Sequence, residues 1–443
     1  MLKIPFINKL DPHMREVVNG ASVAFALKVI AAGLGFAFNV VLARLLGAED
    51  AGLYFLALTC VTIAAVLGRA GLDNTVIRFI AASAAVQDWV SVKGMYSKGI
   101  KFVLTGSSIT AGLLVLAAPW LAETVFSEPE LTALIRWMAI AVVPFALFTI
   151  HSQALQGLKR IRDAVSVLSI FLPFFSLLGV IILAPKWGVQ GAVWSYTLAS
   201  CITLMIGFWL WRRATPQLRS LHGRFQTKKV LQSSVPLFWM SLLHLVIIWS
   251  ANLMLGIWAS SAEVAIYSVA NRTAMLTSFI LIAVNSIAAP KFAALYRQGD
   301  IKNLGHTARN CAKLMTLMAT PVLLLFILVP AHVMKLFGPE FSTGAMVLTI
   351  LAIGQFVNVV TGSVGYLLIM CGHERIMRNI IALCAVINLG LNLTLIPHLG
   401  ALGAALSTAI TLSLQNLIAA GLVWWKLGIM TIPIGWDKVR VRA

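Results

Sequence analysis

Charge is what this chain has least of. Only 11% of its 443 residues are charged, and acids are the scarcer kind, with 15 Asp and Glu against 34 Lys and Arg. A soluble domain carries roughly a quarter of its residues as charge to face water. With 60% hydrophobic residues and a mean hydropathy of +0.91, that class is excluded. Cysteine is also sparse. Cys60, Cys201, Cys311, Cys371 and Cys384 stand far apart, with neither the spacing of a metal site nor that of a disulfide framework, so they read as packing residues. No metal or cofactor is expected. Long polar connections are scarce too. The longest runs from about Arg212 to Lys229, so no extramembrane domain has room and the chemistry must lie among the apolar segments.

What is abundant is apolar sequence in runs of about 20 residues, the length that crosses the hydrocarbon core. Such runs begin near Ala21, Gly52, Ile100, Leu131, Ala164, Val189, Leu231, Val264, Thr307, Ser342, Asn379 and Ala401. They lack the two-residue alternation of barrel strands, so about twelve transmembrane helices are expected in an all-α polytopic membrane protein. Residues 1–20 read as an interfacial segment, not a cleavable signal. Basic residues collect at the amino terminus, in the even-numbered loops (Lys93, Arg160, Arg213, Arg297, Arg375) and at the tail (Lys438, Arg440). The odd-numbered loops carry Glu49, Asp50, Glu123, Glu128, Glu130, Glu263 and Glu340. Cations favour the cytoplasmic side, so both termini are expected there. Spread over loops in this way, the net charge of +19 faces anionic membrane lipids and gives no basis for a nucleic-acid partner.

The second half repeats the first. Asp50 and Tyr54 recur as Glu263 and Tyr267, and Arg78-Phe79 as Lys291-Phe292. Gly157, Arg160 and Ile161 recur as Gly372, Arg375 and Ile376. Gly188-Val189-Gln190-Gly191-Ala192 with Ser195 recurs as Gly400-Ala401-Leu402-Gly403-Ala404 with Ser407. A shift of about 213 residues relates them all, which marks a duplication. Six helices per half is an even number, so both halves sit the same way up, as parallel repeats. The domains are expected to be residues 1–220 and 221–443.

The passage Leu45-Leu46-Gly47-Ala48-Glu49-Asp50-Ala51-Gly52-Leu53-Tyr54 is followed by Gly71-Leu72-Asp73-Asn74 and by Leu155-Gln156-Gly157-Leu158-Lys159-Arg160. With the paired Gly-x-x-Gly-Ala motifs, these make the whole chain resemble the polysaccharide transporter family, in the superfamily that also holds multidrug and toxic compound exporters. The resemblance implies two six-helix lobes in a V around a central cavity, working by alternating access. It implies a bacterial inner-membrane flippase, not an enzyme, that carries undecaprenyl-pyrophosphate-linked oligosaccharide to the outer leaflet for surface polysaccharide such as O-antigen. Polysaccharide assembly proteins are the implied partners.

Charge inside a span costs about 2.5–3.5 kcal/mol on insertion scales, so it marks candidates. Lys28, Gly35 and Asn39 fall on one helix face. Arg69 lies at similar depth in the second span, and Arg272 lies in the eighth. At the repeat offset these three cations face Ser241, Ile282 and Thr59, so they are not part of the duplicated scaffold. They are expected to line the anion path, with Asn271, Ser278 and Asn285 as a polar stripe suited either to sugar hydroxyls or to hydrogen bonding between helices. Asp73, four residues after Arg69, offers either an ion-coupling site or a structural partner for it. Snorkelling to the headgroups is the bland alternative for Lys28, and packing for His151, His244, Gln355, Asn358, Asn388 and Asn392. Pro144, Pro173, Pro236 and Pro321 are expected to kink their helices. A cation-coupled multidrug exporter is the rival reading, and a membrane glycan polymerase or ligase a weaker one. Three intramembrane cations against one carboxylate favour an anionic cargo.

Overall fold

The computed structural model describes residues 12–432, and these form helices with no strand among them. Lys3, Lys9 and the tail cations Lys438, Arg440 and Arg442 lie outside the described residues. Eight helices are long and apolar enough to cross a membrane, or nine when one bent pair is counted as a span. That pair is α4 (Leu131–Ala139) and α5 (Val142–Gly157), bent by 41°. Pro144 explains the bend, because it offers no N–H to the Ile140 carbonyl and its ring crowds that group.

Three helices are too long for one crossing. α1 (Pro12–Arg69), α7 (Phe171–Ala214) and α15 (Glu374–Leu427) have 58, 44 and 54 residues. At 1.5 Å per residue even the shortest would reach about 66 Å, twice the hydrocarbon core. Each is broken by non-helical backbone, at Gly47, at Trp187-Gly188 and at Gly400. Gly188 and Gly400 have φ of 53° and 52°. A side chain on Gly191 would overlap the Leu183 carbonyl, and one on Gly403 the Leu395 carbonyl. Residues eight apart in a straight helix are separated by about 12 Å, so both breaks are hairpins in which the second helix returns along the first. The Ser195 and Ser407 hydroxyls then donate to the Gly191 and Gly403 carbonyls at 2.7 and 2.8 Å. The repeated motif is a repeated turn.

The remaining helices are α2 (Leu72–Ala85), α3 (Trp89–Trp120), α6 (Ile161–Val165), α8 (Thr227–Trp258), α9 (Ser261–Ala274), α10 (Phe279–Arg297), α11 (Ile301–Leu328), α12 (Pro330–Lys335), α13 (Ala345–Val360) and α14 (Val364–Met370). Asp88 caps α3 by accepting from the Ser91 N–H, and Asp300 caps α11 through Asn303 N–H, both at 3.0 Å. These hydrogen bonds hold both carboxyls below the usual aspartate range. Exposed apolar side chains such as Leu116, Leu317, Leu328 and Val386 cover the flanks, as expected of a lipid-facing surface.

The cores show how the halves meet. At the end carrying Glu49, Asp50, Glu128 and Glu263, a single buried core runs through both halves, joining Tyr54, Leu56 and Leu134 to Leu255, Tyr267 and Phe341. At the opposite, basic end each half has its own core, one around Ile80, Phe148 and Trp211, the other around Phe292, Leu367 and Cys384. The lobes are thus fused through a shared core at the acidic end, whereas at the basic end they meet where the first turns of α8 lie on α2, with Val230 in the first lobe's core, Gly71 against the Ser234 carbonyl and Thr75 Oγ1 3.2 Å from Ser233 Oγ. The linker packs with the first lobe. Leu218, Leu221 and Phe225 join its core, and the Lys93 ammonium donates to the Leu218 and Leu221 carbonyls. This strap passes into α8 at the extended residue Gln226, and the first turns of α8 still pack on the first lobe, where Val230 joins its core and Ser233 meets Thr75.

Candidate functional site

A cavity of ≈ 220 Å³ lies between the lobes where the shared core ends. One wall is a face of α1: Ala32, Gly35, Phe36 and Asn39, spaced i, i+3, i+4 and i+7. The other is Val269, Arg272 and Thr273 of α9 with Met275, Leu276 and Phe279 beyond it, and Phe337 closes the top. Arg272 is the one charged side chain among these lining residues. Its Nη1 donates to Asn39 Oδ1 at 2.7 Å across the lobe boundary, and its guanidinium lies 4.7 Å from the centre of the Phe55 ring. Asn39 Nδ2 is committed to the Gly35 carbonyl at 2.6 Å, which leaves its Oδ1 facing Arg272. Met275 lines the cavity and is also exposed, so the cavity opens to the protein surface there. Lys28 stands one turn from Ala32 toward the basic end, part-exposed and without a hydrogen-bonding or ionic partner among the described residues.

From this cavity to the acidic end the lobes are sealed. Arg44 Nε donates to the Leu336 carbonyl at 2.7 Å, and the Ser261 hydroxyl donates to Glu128. Gly52 touches the Ser261 backbone so closely that a side chain there would overlap it. Gly256 packs against Leu56 and Phe126. Deeper, Asn252 Nδ2 donates to Thr59 Oγ1 at 3.4 Å and Ser268 Oγ at 3.1 Å. The displacement that carries Asp50 to Glu263 also carries Asn39 to Asn252 and Thr59 to Arg272. The Asn39–Arg272 and Asn252–Thr59 bonds are therefore the same contact made twice, once on each side of the duplication axis.

Not every sequence candidate reaches this cavity. Arg69 is buried in the first lobe, 2.9 Å from Asp73, with its guanidinium beside the Phe145 ring. Between the two, Ala70 and Gly71 take φ of 46° and 73°, breaking the helix. Arg69 ends α1 and Asp73 begins α2, so each charge complements a helix dipole. The stripe of Asn271, Ser278 and Asn285 is interrupted by a 3-10 turn over Met275–Ser278. That turn advances more per residue than an α-helix and rotates Asn285 off the face of Asn271. Asn271 is part-buried outside the cavity lining, and Asn285 is buried with its Oδ1 unpartnered. Asn388 and Asn392 bond to each other, to Ser250 and to Thr411 inside the second lobe. His151 accepts or donates at Tyr96 Oη, 3.0 Å away, and at the Leu147 carbonyl. No group of three or more metal-ligating side chains occurs among the described residues. The aromatic wall of Phe36, Phe279 and Phe337 carried no sequence signal, since apolar residues are everywhere. The Asn39–Asn252 correspondence was readable from the repeat.

Residues 17–296 match the polysaccharide biosynthesis protein family, and residues 236–394 match the MatE family. A probable low-salt glycan biosynthesis flippase, Agl15 of Haloferax volcanii, is 22% identical over 89% of this chain and 81% of its own length. ExoT, a succinoglycan biosynthesis transport protein of Rhizobium meliloti, is 23% identical over 73% of this chain and 63% of its own. Among solved structures, an inward-facing multidrug resistance MATE transporter superposes with a TM-score of 0.72 at 14% identity, covering 92% of this chain and 98% of that one. The lipid II flippase MurJ superposes at 0.71, also at 14% identity, covering 90% and 87%. These superpositions show a shared two-lobe fold. The family match, which spans more than half of the sequence, places this multi-pass membrane protein in the polysaccharide biosynthesis protein family.

Proposed function

We propose that this protein is a flippase, not an enzyme, moving a polyprenyl-pyrophosphate-linked oligosaccharide from the cytoplasmic to the outer leaflet of the bacterial inner membrane by alternating access. The observation that carries this reading is the lobe-interface cavity, where one guanidinium sits among apolar and aromatic walls that open to the protein surface at Met275. An amphipathic anion suits such a site. Its charged head engages Arg272, with Asn39 beside it and Lys28 on the approach, and its tail leaves through the Met275 opening into lipid. With the bent pair taken as one span and each of the three kinked helices as two, the nine candidate spans correspond to the twelve expected from the sequence. With the basic end cytoplasmic, both termini are inside, and the seal at the acidic end makes this the inward-facing state. Arg69 and Asp73 act as a staple across the helix break, outside the cargo path. The inside-negative potential supplies the drive, about 2.3 kcal/mol per charge per 100 mV.

A cation-coupled drug exporter is the rival reading within the same fold. Purified protein in vesicles separates the two. Pyrophosphate-linked lipid should move faster when the donor side is made negative. Efflux of cationic dyes without lipid movement would overturn the flippase reading.

A further inference from the structure

The Asn39–Arg272 bond joins the two lobes and also lines the cavity that receives cargo. Its repeat-related counterpart, Asn252–Thr59, also joins the lobes, but Thr59 and Asn252 are both buried and neither lines the cavity. Duplication thus made one contact twice, and the halves then diverged in chemistry. One copy is neutral and buried. The other has a cation as donor and stands open to an incoming anion.

A guanidinium that donates to a neutral carboxamide oxygen exchanges that partner readily for a phosphate, which is charged and matches its planar fork. Asn39 cannot follow, because its Nδ2 is held by the Gly35 carbonyl. The geometry points to Asn39 as a cargo-released latch: an anionic head that takes Arg272 breaks the cavity-side inter-lobe bond while Asn252–Thr59 stays intact as a pivot. Asn39 is then a positioning residue whose loss of contact reports occupancy to the seam. Above it the seam is held by Leu56 and Phe126 against Gly256, by Gly52 against Ser261, by Ser261–Glu128 and by Arg44–Leu336. Breaking the innermost rung on one side favours opening at the acidic end. This inference rests on the flippase reading for the identity of the cargo, but not for the switch itself.

The test is a distance measurement across the acidic-end seam, with spin labels on cysteines introduced at the exposed Thr124 and Lys335 of the full chain in nanodiscs. Inorganic pyrophosphate is the probe. In the wild type it should convert part of the short-distance population to a longer one. Asn39→Ala should raise the long-distance population without any anion, and pyrophosphate should add little to it. Asn39→Asp, nearly isosteric, tightens the latch with a second charge and should demand about tenfold more pyrophosphate for the same shift. Asn252→Ala should loosen the seam yet keep the anion response. Equal distance distributions for the wild type and Asn39→Ala would overturn the latch, as would an undiminished pyrophosphate response in Asn39→Ala. If the switch behaves as stated but lipid-linked glycan does not move in vesicles, the latch stands and the cargo assignment falls.

Discussion

At the residue scale, two arginines within the helical bundle have opposite environments, Arg69 buried and Arg272 only partly so. Arg69 is neutralised by Asp73 at 2.9 Å, whereas Arg272 has a neutral partner and a cavity. Sequence spacing offered both fates for Arg69, and it could not decide because i, i+4 pairing depends on backbone continuity, which Ala70 and Gly71 break. The same distinction sets what each mutation does. Removing Asp73 leaves a buried cation uncompensated, which costs about 3–5 kcal/mol. Asp73→Ala should therefore lower the melting temperature of the purified protein and its membrane level, while Arg69→Met with Asp73→Leu should recover much of both. Unchanged stability in Asp73→Ala would end the staple role. Arg272 should behave differently. Arg272→Lys keeps the charge but loses the fork, reducing transport about tenfold in a complementation or vesicle assay. Arg272→Glu should abolish transport with protein level preserved, because a cavity can solvate a carboxylate that a sealed core cannot. Full complementation by Arg272→Glu would remove it from the anion path.

At the element scale, most of the architecture was readable, because span length and glycine placement are local properties. The runs expected to start near Val189 and Ala401 begin directly after the positive-φ glycines. Kinks were less readable. Pro144 bends its span, yet α8 and α11 run on through Pro236 and Pro321, since neighbouring helices decide whether a proline bends or is accommodated. Nor does residue spacing reveal the 3-10 turn that separates Asn271 from Asn285 in the eighth span. The hairpins give a direct prediction. Gly191→Leu and Gly403→Leu should each lose most folded protein, since their side chains overlap the returning backbone. Gly390→Ala, with nothing near the added methyl, should be neutral or slightly stabilising. Size-exclusion yield in mild detergent checks all three, and equal yields would contradict tight hairpins. The exposed caps give a second check. Asp88 and Asp300 have lowered folded-state pKa values, so their stabilisation is present above the ordinary aspartate range and is lost as pH falls through the lowered value. Asp88→Ala with Asp300→Ala should flatten that part of the acid-denaturation profile, followed by circular dichroism. An unchanged profile would remove the caps from the balance.

At the scale of the whole molecule, the unequal cores determine how it can move. One core crosses both lobes at the acidic end, while the basic end holds two cores that meet only where the start of α8 lies on α2, so opening the other way requires parting the shared core along the seam at Gly52 and Ser261. None of this was legible in the sequence, since a core shared between lobes and a core within one use the same residue types. A wedge tests it. Gly52→Leu inserts a side chain where the Ser261 backbone stands and should hold the seam open. Val269, fully buried on the cavity wall, serves as reporter when replaced by cysteine. In intact cells, with the acidic end outward as proposed, a membrane-impermeant maleimide should label Val269→Cys strongly only when Gly52→Leu is also present. Reporter fusions at Glu128 and Arg219 check that sidedness independently, with external and cytoplasmic signals expected. If the fusions agree with this topology but the cysteine is labelled equally with and without the wedge, Gly52 does not close the seam. Equal sidedness at the two fusion sites would instead overturn the orientation. With the wedge in place transport should stop even though Arg272 and Asn39 are intact, because a transporter held in one state binds cargo but cannot cycle.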